Sequence, residues 1–219
     1  MRFLIFGPPG SGKGTQASKI AETYMISHID FGTILRDHLQ KNTKLGKEIA
    51  KYNIEKGNLI PDDLAIEILE DRLKEKDAKK FGFVLEGFPR TLAQGIAIDN
   101  FLKKSRLKLD AVININVDED LLVKRLMSRR VCANCGESYN LLTNPPKQDD
   151  ICDKCGGKLV TRDDDKEQVI RKRFRVFKAQ TEPAINFFRK MENIIDIDGN
   201  RSVDEVFIQI KQKLDKMVK

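Results

Sequence analysis

With 219 residues, 40% of them hydrophobic and 33% charged, the chain can bury a sizeable core and fits one domain with inserted segments better than two full domains. No apolar run approaches the roughly 20 residues that cross a bilayer, which excludes a membrane span, and the apolar opening at residues 3–6 is cut by glycines too early for a secretory leader, so a cytoplasmic protein is expected. The formal net charge of +7 admits nucleic acid, an anionic surface or small polyanionic ligands without choosing among them, and lysines such as Lys103, Lys104 and those over 211–219 read as a solvated surface.

In chain order, residues 2–6 read as a buried strand, followed directly by Gly7-Pro8-Pro9-Gly10-Ser11-Gly12-Lys13-Gly14-Thr15. Glycines let a chain turn tightly and aim N–H groups inward, a following helix adds the positive end of its dipole, and a lysine adds a point charge for the β- and γ-phosphates. Nucleotide chemistry is therefore the first expectation. The general phosphate-loop pattern has Ser or Thr directly after the lysine, whereas here Gly14 intervenes and the hydroxyl comes at Thr15. Ala17, Ile20, Ala21 and Tyr24 space a helix over 12–24, residues 27–30 read as a second strand, and Ile34, Leu35, His38 and Leu39 as a second helix. A third helix is expected over 45–55, ending at Gly57. Pro61 with Asp62 and Asp63 opens another, backed by Leu64, Ile68 and Leu69. Residues 83–85 and 111–115 are further buried strands, each followed by a helical stretch. This alternation predicts an α/β protein with a doubly wound parallel sheet.

Between 130 and 165 the composition turns polar, with Asn144-Pro145-Pro146 and all four cysteines, and reads as an insertion. Cys132-x-x-Cys135 and Cys152-x-x-Cys155 make a four-thiolate tetrahedral site whose usual occupant is zinc; an iron–sulfur centre or two disulfides are the alternatives, and a cytoplasmic setting disfavours disulfides. Gly136 and Gly156-Gly157 give each knuckle its freedom in φ. With no fifth ligand nearby and no open position, the metal is expected to be structural and to supply the insertion's folding energy. Helix resumes over 167–177 and runs to 188 with a break before Pro183, residues 194–197 are a last strand, and Ser202-Val203-Asp204-Glu205 is a capping box for the terminal helix. His28 and His38 have no partner pattern and read as structural or surface residues.

Gly7 to Thr15, Gly87-Phe88-Pro89-Arg90-Thr91, Arg125, Arg129-Arg130, and Thr161-Arg162-Asp163-Asp164-Asp165 leading to Arg171-Lys172-Arg173 together resemble the adenylate kinases of the long form with a zinc-binding lid. The motifs run in fixed order over nearly the whole chain. The resemblance implies a core of 1–29, 62–129 and 166–219, a monophosphate-binding helical segment at 30–61 and a zinc-binding lid at 130–165. It implies reversible Mg²⁺-dependent transfer, ATP + AMP = 2 ADP, by a monomer that binds neither nucleic acid nor membrane. ATP is assigned Gly10, Ser11, Gly12, Lys13, Gly14, Thr15, Arg125 (against the adenine) and Arg129; AMP is assigned Phe31, Gly32, Arg36, Gly87, Arg90, Gln94 (the amide that reads the base), Arg162 and Arg173. Lys13, Arg90, Arg129, Arg162 and Arg173 are the implied catalytic set, Asp164 and Asp165 are lid carboxylates beside the arginines, and Glu86 meets magnesium through water.

Elementary chemistry agrees: a monophosphate oxygen is already anionic at neutral pH and attacks the γ-phosphorus without a protein base, so positioning, charge neutralisation and exclusion of water suffice. Two departures stand out. Asp30-Phe31-Gly32-Thr33 replaces the usual Ser-Thr-Gly-Asp, putting a stacking ring in place of a hydrogen-bonding threonine, and Glu86 replaces an aspartate. A broader acceptor preference (CMP, UMP or GMP) is therefore the alternative to AMP. A zinc-ribbon nucleic-acid-binding ATPase is the distant alternative, disfavoured because the ribbon has one aromatic, Tyr139, and carries Asp149, Asp150 and Asp153.

Overall fold

The computed structural model describes residues 1–191 and 194–217, so Lys219 lies outside the described residues. The first half of the chain runs β1 (Arg2–Phe6), α1 (Lys13–Tyr24), β2 (Ser27–Asp30), α2 (Phe31–Gln40), α3 (Lys44–Ala50), a 3-10 turn (Ile54–Lys56), α4 (Asp62–Leu73), α5 (Lys76–Phe81), β3 (Phe83–Glu86) and α6 (Leu92–Lys104). There follow β4 (Ala111–Asn116), α7 (Glu119–Met127), β5 (Arg129–Cys132), β6 (Ser138–Asn140), β7 (Leu159–Val160) and a second 3-10 turn (Asp163–Asp165). Then come α8 (Glu167–Val176), a π-helical turn (Phe177–Thr181), α9 (Glu182–Arg189), β8 (Ile194–Asp198) and α10 (Val203–Met217).

Five strands pair in parallel in the order β2-β3-β1-β4-β8. Both faces are covered, which is why the strands read as unbroken apolar runs. Leu4 and Phe6 of β1 pack with Ile29, Leu85, Leu69 and Phe188 on one face. Phe3 and Ile5 pack with Ala17 and Ile20 of α1 and Ile210 of α10 on the other. The chain reverses its direction across the sheet at β1, so the carboxyl end of β1, where the glycine-rich loop begins, is the crevice such sheets use for ligands. A second sheet, β6-β5-β7, is antiparallel, and its buried cluster is only Cys132, Tyr139, Cys152 and Leu159.

Three local expectations change. The third helix stops at Ala50, because Asn53 (φ 50°) and Gly57 (φ 77°) take the left-handed conformation that no helix continues through. The sequence pattern gave no sign of α5, a helix of six residues that ends at Gly82 with φ 87°. No break precedes Pro183: the π-helical turn carries the helix through and Pro183 falls in the first turn of α9, where an N–H is dispensable. The capping box forms, with Ser202 N–H donating to the Glu205 carboxylate (3.0 Å) and Glu205 N–H to Ser202 Oγ (3.4 Å). Among the described residues no helix is long and apolar enough to cross a membrane.

Candidate active site

The loop from β1 to α1 is shaped by Gly10 and Gly12, with φ of 83° and 85°, values an L side chain rarely adopts. Gly12 caps α1 with no side-chain bond, and the first helical bond runs from Gln16 N–H to Gly12 O at 3.0 Å. The N–H groups of Lys13, Gly14 and Thr15 therefore lack intrahelical acceptors and mark an anion site at the positive end of the dipole. Ser11 is set apart: it is buried, its N–H donates to Pro8 O (3.1 Å), and a Cβ on Gly7 would collide with its hydroxyl. A Cβ on Gly14 would stand 3.1 and 3.2 Å from the two Glu86 oxygens, so the glycine after the lysine is what lets α1 begin against that carboxylate.

Around Lys13 the fold gathers the arginines. Lys13 is partly exposed, yet the protein strips enough of its hydration to lower its pKa to about 8; Glu86 opposes this, while Arg173, Arg90 and Arg129 add to it. Arg129 on β5 makes a two-point pair with Asp165 (Nε–Oδ2 2.8 Å, Nη2–Oδ1 2.6 Å), and Arg162 makes one with Asp164 (2.9 Å twice). Arg173 on α8 reaches Asp164 (3.0 Å) and Asp165 (3.4 Å). Such forks fix guanidinium planes that single contacts would leave free. Burial, with like charges around it, brings Arg173 down to about 10, and burial with Arg129 and Arg36 nearby lowers Arg162. Burial disfavours the Asp164 anion, but Arg173, Arg162 and Arg129 outweigh it and its pKa is lowered.

A second basic group, on the segment expected to take the monophosphate, lies on the 30–36 turn and the loop after β3. Arg36 is held by Asp30 (3.3 Å) and Thr33 Oγ1 (2.7 Å), and a Cβ on Gly32 would stand 3.0 Å from Arg36 Nη1. Arg90 donates from Nε to Gly87 O at 2.8 Å, and its own carbonyl accepts from Thr181 Oγ1 at 3.0 Å. Burial lowers the Arg90 pKa against the opposing Asp30. Gln94 is buried, with Oε1 accepting from Arg90 N–H (2.7 Å) and Nε2 donating to Asp62 (2.8 Å). These bonds use one lone pair and one hydrogen of that amide. Phe31 does not fit the expectation of an open stacking surface: it is 3% exposed and packs on Phe88 with ring centroids 5.2 Å apart. Gly57 and Asn58 join this segment to α8, a Cβ on Gly57 standing 2.9 Å from Arg173 Cγ and Lys172 Nζ bonding Asn58 Oδ1.

Lys13, Arg36, Arg90, Arg129, Arg162 and Arg173 thus face one another with Asp30, Glu86, Asp164 and Asp165 between them, an excess of positive charge suited to several phosphates. Arg125 stands apart from them, donating to Gly199 O (2.9 Å) and Arg201 O (3.3 Å). Sequence reasoning missed Asp62, Thr181 and His28. Asp62 read only as a helix-start acid; His28 lies 3.7 Å from Glu86, and although burial disfavours its charge, Glu86 and Asp30 raise its pKa.

The four cysteine sulfurs lie within 4.8 Å of one another and none is in a disulfide. Two like knuckles hold them, Gly136 N–H donating to Cys132 O (3.0 Å) and Gly156 N–H to Cys152 O (2.8 Å), with Gly136 and Gly156 at φ 74° and 70°. Burial resists ionisation of Cys152, but the Tyr139 hydroxyl and the N–H groups of Lys154 and Cys155 bring its thiol to about 6; at Cys155 the Gly157 N–H favours the thiolate, yet the neighbouring sulfurs push it to about 12. Sulfurs this close cannot all ionise without a cation among them, so the donor set fits a soft divalent metal.

A family model described as "Adenylate kinase" matches residues 5–193. An adenylate kinase of Archaeoglobus fulgidus is 48% identical over 217 residues, 99% of each chain. One of Thermoanaerobacter sp. (strain X514) is 48% identical over 214 residues, 98% of each, and one of Methanocella arvoryzae is 47% identical over 217, covering 99% of this chain and 100% of that one.

Proposed function

The chain belongs to the adenylate kinase family, and on that premise we propose which of its side chains carry the family's reaction, the reversible Mg²⁺-dependent transfer of a phosphoryl group from ATP to AMP to give two ADP. The observation that carries the proposal is the single cluster of cations between the start of α1 and the Arg36–Arg90 side. The free N–H groups of α1 and Lys13, with Arg129, hold the ATP phosphates, and Gly10, Gly12 and Gly14 give them room. Ser11 supports the turn from inside. Arg125, pinned to the Gly199 and Arg201 carbonyls, flanks the ATP base. Phe31 and Gly32 set the start of α2, from which Arg36, with Arg90 beside Gly87, grips the acceptor phosphate, and Gln94 offers its remaining hydrogen and lone pair to the acceptor base. A cleft of about 650 Å³ lies next to this group, walled by Tyr52, Asn58, Ile60 and Gln180 and by Asp62 and Thr91, which hold Gln94, though Gln94 and the arginines themselves do not line it.

With both substrates in place, the acceptor oxygen needs no proton removed, and Arg129, Arg162 and Arg173 neutralise charge as the phosphoryl group passes. Glu86 Oε2 is buried without a hydrogen-bond partner beside Gly14, as an acceptor for a magnesium-bound water would be. Magnesium, when bound, supplies charge neutralisation between phosphates. Cys132, Cys135, Cys152 and Cys155 hold one structural zinc. We divide the chain into a core (1–29, 62–129, 166–219), a monophosphate segment (30–61) and a lid (130–165), supported by the separate sheet and cluster of the lid. Unpaired thiols support a cytoplasmic protein, and we take it to be a monomer without nucleic-acid or membrane partners.

A coupled assay over AMP, CMP, UMP and GMP tests the acceptor reading. AMP is expected to give the highest kcat/KM, and Gln94→Ala to narrow its lead; equal values for all four would assign a broad nucleoside monophosphate kinase instead. Protonation gives a second test. At pH 8.5 the substrate-free Lys13 is mostly neutral, since its pKa is about 8. A polyphosphate anion raises that pKa, so ATP binding takes up protons there, and affinity falls as pH rises past 8. Calorimetry in buffers of different ionisation heat reads the uptake, which Lys13→Met abolishes; no uptake in wild type would remove Lys13 from the phosphates.

A further inference from the structure

Glu86 ends β3 with one methylene more than the aspartate of the family pattern, and the extra rotatable bond lets a carboxylate leave the place where a strictly octahedral water shell needs it. In the structure both oxygens lie over Gly14, 3.1 and 3.2 Å from where its Cβ would be. The neighbouring strand brings one side chain close to them. β2 and β3 pair with His28 opposite Val84 and Asp30 opposite Glu86, so His28 shares a sheet face with Glu86, one pleat before it. Its Nδ1 is 3.2 Å from Ser18 Oγ of α1, and its Nε2 is 3.7 Å from Glu86 Oε1. With Ser18 donating to Nδ1, the hydrogen sits on Nε2 and faces the carboxylate. His28 Nε2 and Glu86 Oε2 are both buried without hydrogen-bond partners, so a small inward movement of the ring completes a bond to Oε1 and leaves the carboxylate with acceptor capacity for a further donor.

We propose that His28, braced by Ser18, is a positioning residue that fixes the Glu86 carboxylate and keeps it available to the water shell of nucleotide-bound magnesium. This rests on the reading of Glu86 as the acceptor for that shell. The test is calorimetric binding, with and without Mg²⁺, of the bisubstrate analogue in which five phosphates join two adenosines, to wild type, Glu86→Gln, His28→Ala and His28→Gln. Wild type gains affinity with Mg²⁺, and Glu86→Gln loses most of the gain. His28→Ala is expected to lose about tenfold of it, the lower end of what removing an outer partner of a metal site costs, while its Mg²⁺-free affinity stays at the wild-type value. His28→Gln, whose amide can donate to Oε1, recovers part of the loss. A full gain in His28→Ala when Glu86→Gln has lost it overturns the positioning role. Equal losses with and without Mg²⁺ in His28→Ala also overturn it, since they mark a general loss of structure. An unchanged gain in Glu86→Gln overturns the reading of Glu86 and the proposal with it.

Discussion

Arg173→Ala is expected to lower kcat by roughly 10³-fold or more, the scale on which a single arginine contributes to phosphoryl transfer, with thermal stability close to wild type. Arg173 donates to both Asp164 and Asp165 and packs against Gly57, so it ties the 163–165 turn to residue 57, and in the proposed reaction it stands where charge moves. Its pKa, lowered to about 10 by burial and by Arg129 and Arg162, shows a cation crowded by cations, an arrangement costly to the free protein and relieved by bound phosphates. Arg90→Ala and Lys13→Ala are expected to behave alike. Steady-state kinetics with circular dichroism as the control for folding decides this, and near-normal turnover in a folded Arg173→Ala would remove it from the transfer.

Removing zinc is expected to unfold the lid before the core. The buried cluster of the small sheet is Cys132, Tyr139, Cys152 and Leu159, so two of its four members are proposed metal ligands and little apolar burial remains without them. Structural zinc supplies about 10 kcal/mol or more in small four-ligand domains, which such a cluster cannot replace. A chelator should therefore raise hydrogen exchange over 130–160 and abolish activity, because Arg129 begins the first strand of that sheet and Arg162 follows its last, while the amides of β1 and β4 stay protected. Metal analysis should find one zinc per chain. Protein purified under reducing conditions that holds neither zinc nor iron, with four freely titrating thiols, would contradict the assignment.

The sheet was legible because its strands are buried on both faces and so appear as bare apolar runs, as at Phe3-Leu4-Ile5-Phe6. The phosphate loop was legible because glycine, lysine and threonine at fixed spacing have few other uses. Backbone conformation at single residues was not: nothing at Asn53 in the pattern announces the left-handed turn that ends the third helix, and periodicity alone cannot separate a π-helical turn before Pro183 from a break. The same limit applies to Phe31. Its position in the motif suggested a base-facing ring, but an aromatic beside Phe88 gains more from the core, and Phe31→Thr would open a cavity there. Partners brought together only by the fold, such as Asp62 under Gln94 and His28 beside Glu86, leave no sequence signal.

The central claim is that two nucleotide sites meet across one cluster of cations, and the bisubstrate analogue tests it most directly. If Lys13 and Arg129 hold one end of the polyphosphate while Arg36 and Arg90 hold the other, the analogue occupies both sites for one loss of translational freedom and binds at least about 10²-fold more tightly than ATP. Competition calorimetry of the analogue and ATP on wild-type protein gives the ratio, and an analogue that binds no better than ATP would contradict the account.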